Sequence, residues 1–213
     1  MFFVRPPFLI QKIFSSLEWR LKSGESTIFL TFDDGPIPEV TPEVLNILKK
    51  YEIKATFFCV GDNIRKYPKI FERIIQEGHS VGNHTFNHIA GWNTDLISYK
   101  KNVNECENEF SLHGVHTKLF RPPYGKITQS QIKHLRTQGY KIMMWDVLSY
   151  DFHPHVDGEK CLKNTLEYTR HGSIVVFHDN LKSKENVLYA LPLYIENCIE
   201  KGFAFKTMEM KWN

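Results

Sequence analysis

From residue 27 to residue 205 this chain alternates short apolar runs with amphipathic stretches, and that alternation leaves few folds open. Residues 27–32 read as a strand, and 42–51 as a helix with Val44, Leu45 and Leu48 at helical spacing. The run 55–60 is apolar without a break, which marks a strand covered on both faces. A helix over 68–77 stopped by Gly78, a strand over 80–82 and a helix from 95 to 112 continue the pattern. The spacing then predicts strands at 118–120 and 141–147 around a helix at 128–138 stopped by Gly139. Helices at 159–171 and 184–200 and strands at 173–177 and 203–205 complete it. Strands and helices in turn imply an α/β fold with a mainly parallel sheet, closed as a barrel or open.

The chain has 213 residues, enough to bury a sizeable core in one domain. A net charge of +3 is too small to point to nucleic acid as a partner. Residues 1–24 hold that excess, with Arg5, Lys12, Arg20 and Lys22 against Glu18. We expect this segment to be a basic amphipathic extension and residues 25–213 to be the main domain. Leu9, Ile10, Ile13, Phe14 and Leu17 have helical spacing within 8–17, so a helix there should pack over the bottom or side of the domain. Peripheral contact with a membrane surface is the minor alternative. Charges or prolines interrupt every apolar run well before the ~20 residues a transmembrane helix needs. Phe8-Leu9-Ile10 is cut short by Gln11-Lys12, so a signal peptide is not expected. A cytoplasmic location follows as the expectation, with cell-envelope association left open. Cys59, Cys106, Cys161 and Cys198 form no C-x-x-C pair, which argues against a zinc ribbon or a dithiol motif.

Polar clusters stand at or just after the ends of the expected strands, where parallel α/β folds build their sites. Asp33 and Asp34 are adjacent at a strand end, so their side chains diverge and can take different roles. His84 and His88 are four apart, a spacing that puts both imidazoles on one face of a helical turn and suits a divalent metal. Arg121 precedes two prolines, Tyr124 and Gly125, which fix a rigid loop. Asp151 can orient His178 and raise its pKa for proton donation. Each cluster alone reads better as a turn, a surface pair or a core histidine. Together they supply metal ligands, a base, an acid and a charge partner.

The same segments resemble the polysaccharide deacetylase family, the NodB-homology domain of carbohydrate esterase family four. The resemblance covers roughly residues 27–205 and rests on motifs in the family's order. They are TFDDGP at 31–36, ATFF at 55–58 with Gly61, GHSVGNHTFNH at 78–88, RPPYG at 121–125 and GSIVVFHD at 172–179. It implies a distorted, incomplete (β/α) barrel. It further implies that Asp34, His84 and His88 hold one divalent metal ion, usually zinc. Asp33 would be the general base, paired with Arg121, and His178 the general acid, oriented by Asp151. The Tyr124 backbone N–H would stabilise the oxyanion. Phe152 stands where the family usually has Trp, and Val176 where Leu is common in the wall around the acetyl methyl. Both keep an apolar substrate-binding surface. The implied reaction is removal of acetyl groups from N-acetylglucosamine-type oligo- or polysaccharides, with an acetylated carbohydrate as the partner. An O-acetyl esterase of the xylan type and a silent carbohydrate-binding module on the same fold are the alternatives.

Overall fold

The computed structural model describes residues 3–22 and 26–208. The boundary expected between residues 24 and 25 lies outside the described residues. Strand β1 (Thr27–Asp33) is buried along its whole length at the centre of the sheet. It lies between β2 (Thr56–Cys59) and β7 (Ile174–His178). Beyond β2 come β3 (Ser80–Asn83), β4 (Leu119–Phe120) and β5 (Lys141–Ile142). Strand β6 (Val147–Leu148) flanks β7, and β8 (Ala204–Phe205) pairs with the start of β1. The ladders between these strands run parallel and the sheet curls into an incomplete barrel.

Helix α1 (Phe8–Ile13) precedes the sheet. Helices α2 (Thr41–Lys50), α3 (Gly61–Lys66), α4 (Pro68–Gln76) and α5 (Leu96–Leu112) follow β1, β2 and β3. Helices α6 (Gln129–Thr137), α7 (Gly158–Tyr168) and α8 (Lys184–Glu200) complete the outer layer. Pleat periodicity divides the core. Ile28, Leu30 and Phe32 of β1 pack into the outer cluster with Val44 and Leu48 of α2 and Leu191 of α8. Phe29 joins Phe58, Leu119, Met143 and Ile174 in a separate inner cluster. All four cysteines are free and buried. Among the described residues no helix is long and apolar enough to cross a membrane.

Two expectations about elements are corrected. The strand expected over 141–147 is split, because the carbonyls of Met143 and Met144 turn to accept from the Arg121 guanidinium. The chain's own beginning occupies the break. Glu18 N–H donates to Ile142, Met144 N–H donates back to Glu18, and Arg20 pairs antiparallel with Ser173. The helix expected over 8–17 is also shorter, and α1 buries none of its side chains. It flanks the sheet edge that carries the polar clusters, while Leu17, Trp19 and Leu21 behind it enter the core.

Candidate active site

The last residue of β1 and the first after it point different ways. Asp33 is buried, and its Oδ1 accepts from the Arg121 Nη1 at 2.7 Å. Asp34 has φ 83°, which turns its carboxylate away from the barrel axis toward His84 and His88. That strained turn is braced from both sides. The Asn63 side chain of α3 donates to the Asp34 carbonyl at 2.7 Å, and Gly35 N–H donates to Asp179 Oδ1 at 3.0 Å. Gly35 is required here, since a Cβ would lie 2.0 Å from the Asp179 carboxylate. Burial, together with the charge of Asp34, pushes the Asp179 pKa up to about 7, against the opposing bond from Thr41.

His84 follows β3, but His84 and His88 do not share a helical turn as the spacing suggested. Thr85 and His88 take φ of 64° and 56°, and the loop is held open by asparagines. Asn83 Oδ1 accepts from Thr85 N–H, and Asn102 Oδ1 accepts from both Phe86 and Asn87. The loop nevertheless brings both rings to Asp34. Nε2 of His84 is 3.4 Å and that of His88 3.0 Å from Asp34 Oδ1. One donor atom from each of the three residues falls within a 4.8 Å cluster. His84 Nδ1 lies 2.7 Å from the Arg121 carbonyl, an acceptor only, so Nδ1 carries a proton and Nε2 faces the cluster, a donor to Asp34 when the ring is protonated and a ligand atom when it is neutral. Burial opposes ionisation of Asp34, but its bonds to His84 and His88 prevail and hold its pKa well below the ordinary value.

Arg121 fills the barrel just beneath. It is wholly buried, lies 4.1 Å over the Phe58 ring, and donates to Asp33, Thr31, Met143 and Met144. The loop beyond it puts Tyr124 at φ 59°, its ring 4.6 Å from that of His88.

Register does the rest. Parallel pairing of β1 with β7 sets Asp33 directly beside His178. His178 Nδ1 and backbone N–H each lie 2.7 Å from an oxygen of Asp151. Burial works to lower the His178 pKa, but the carboxylates of Asp151, Asp34 and Asp33 outweigh it and hold the pKa at about 9. Phe152 packs edge-on to the His178 ring at 4.8 Å.

Asp33, Asp34, His84, His88, Tyr124, Phe152, Val176 and His178 line one cleft of about 630 Å³. Arg121 and Asp151 stand behind its wall, fully buried, and are bonded to Asp33 and His178 respectively. Asn180, Trp145 and Tyr150 are among the contributors that escaped the sequence reading. Asn180 donates to Asp34 Oδ2 at 2.6 Å, and Trp145 and Tyr150 form part of the wall. Asn180 lies two residues beyond His178, the one hint available. Trp145 was hidden inside an expected strand.

Comparison with known proteins agrees with this geometry. Residues 20–143 match the sequence profile of the polysaccharide deacetylase family. A peptidoglycan-N-acetylglucosamine deacetylase of Bacillus cereus is 36% identical over 87% of this chain and 68% of its own length. A chitooligosaccharide deacetylase of Azorhizobium caulinodans is 31% identical over 80% of this chain and 81% of its own. Among solved structures, a peptidoglycan N-acetylglucosamine deacetylase superposes with a TM-score of 0.88 at 32% identity, covering 95% of both chains. With barrel, profile and relatives in agreement, the chain belongs to the polysaccharide deacetylase family.

Proposed function

We propose that this protein is a divalent-metal-dependent hydrolase that releases acetate from N-acetylglucosamine-type saccharides and leaves the free amine. One observation carries the reading: Asp33 and His178 are register partners in the cleft that also holds the Asp34, His84 and His88 cluster. Relatives named for deacetylation of N-acetylglucosamine in peptidoglycan and of chitooligosaccharides support the substrate class.

The cluster fits a metal ion by the chemistry of its donors. Two imidazole nitrogens and a carboxylate oxygen, with one tautomer already fixed, suit zinc first and other first-row divalent ions after it. A bound ion supplies Lewis acidity toward the acetyl carbonyl and toward water. The protein's own groups carry the protons. Asp33, aimed by its bond from Arg121, takes the proton of the attacking water. The Tyr124 backbone N–H donates to the developing oxyanion. His178, protonated at neutral pH, gives its proton to the departing nitrogen, which cannot leave as an anion. Asp151 keeps the imidazolium oriented. Phe152 and Val176 form apolar wall for the acetyl methyl.

The test is acetate release from short N-acetylglucosamine oligomers by chelator-stripped protein, before and after zinc is restored, beside Asp33→Asn. We expect activity that needs the metal and falls by about 10²–10⁴-fold in the variant. Release from acetylated xylan alone would move the reading to an ester. Tight metal binding with no turnover on any acetylated sugar would leave a silent binding module.

A further inference from the structure

A second groove of about 350 Å³ opens beside the catalytic cleft and shares Tyr124, Trp145, Leu148 and Tyr150 with it as a common wall. Its other side comes from the N-terminal segment, through Pro7, Ile10 and Phe14, with Trp92 nearby. The two cavities differ in chemistry. The cleft holds carboxylates, imidazoles and Lys182, whereas no charged side chain is among the described residues of the groove. Its indoles are largely spoken for: Trp19 donates to the Phe14 carbonyl and Trp92 to that of Ile127. A second sugar ring could stack on these aromatics but would find few partners for its hydroxyls. A hydrocarbon chain needs none.

Exposure points the same way. Trp92 is 64% and Tyr124 63% exposed, and Ile10, the residue of α1 that lines the groove, is exposed as well. Apolar surface gathered at one place marks a site that something covers. Because the groove runs into the cleft, the group best placed to cover it is another part of the molecule being deacetylated. We propose that the groove binds a hydrocarbon chain carried by the acetylated saccharide, so that the substrate is an amphiphile of the glycolipid type. The proposal rests on the deacetylase reading above.

The test compares octyl and methyl β-glycosides of N-acetylglucosamine, below the micellar concentration of the octyl compound. Their kcat/KM ratio is measured in metal-loaded wild type, Ile10→Asp and Trp92→Ala. Each methylene buried is worth roughly fourfold, so burial of even two or three carbons of the octyl chain should bring the wild-type ratio to about 10–100. It should fall toward unity in both variants. A readout free of turnover is tryptophan emission of the chelator-stripped protein, which the octyl glycoside should shift and the methyl glycoside should not. Equal kcat/KM for the two glycosides, or a preference that survives both substitutions, overturns the proposal. So does co-sedimentation with phosphatidylglycerol vesicles when the glycosides behave alike, since a membrane would then cover the surface. No acetate from either glycoside, with the emission shift intact in wild type and lost in the variants, upholds the groove and strikes the deacetylase reading instead.

Discussion

Arg121 carries its charge where no solvent reaches, and burial accordingly lowers its pKa despite the opposing pull of Asp33. Such a charge survives only because carboxylate, hydroxyl and carbonyls occupy its donors. Removing it strands the buried Asp33, so Arg121→Leu should lose about 3–5 kcal/mol in urea unfolding. His178, in its proposed role as general acid, must be protonated, so the rate should fall as pH rises toward about 9, or earlier where a bound cation repels the imidazolium. Asp151→Asn removes the main charge that raises this pKa, and the alkaline limb of the kcat profile should move down by about one unit or more. The raised pKa also stabilises the fold, in full below the ordinary value of ~6.5 and less as pH climbs through about 9. Asn180→Ala should weaken zinc binding by roughly 10–100-fold in chelator competition, because it frees the outer oxygen of Asp34. Asp33, Asp34 and His178 were legible in the sequence because each ends or follows an apolar run. Asn180 was not, because a single asparagine in a loop resembles any turn residue.

At the scale of elements, periodicity found the strands and helices that are buried in register with it. It failed where a side chain reorganises the backbone. Nothing local in 141–147 announces that a distant arginine will claim two carbonyls, so the strand looked continuous. Likewise the four-residue spacing of His84 and His88 suggested a helical turn, and asparagine side chains bent the loop instead. The segment ahead of β1 reads from its charge and spacing as a basic amphipathic extension packed on the domain. Its backbone is bonded into the sheet and Leu21 belongs to the inner cluster. Leu21→Ala should therefore cost about 2–5 kcal/mol in thermal or urea unfolding, where a merely appended tail would cost nothing.

For the whole molecule, helices on one side of a curled parallel sheet leave its carboxyl edge free to collect side chains from distant segments. The alternation in the sequence foretold that edge. It did not foretell the groove beside it, because α1 shows its apolar residues to the surface and periodicity cannot say which way an amphipathic face turns. A chain stopped after residue 171 lacks the β7 ladder on β1 and should show no cooperative melt by circular dichroism. The central position of β1 has a consequence in time. Asp33 leaves the ribosome well ahead of its partner His178 on β7, which follows it by 145 residues. Contacts so far apart along the chain close late and slowly. A nascent chain, or one clipped ahead of β7, thus carries the proposed metal ligands well before it acquires the proposed proton donor, and the proposed catalysis must wait for β7.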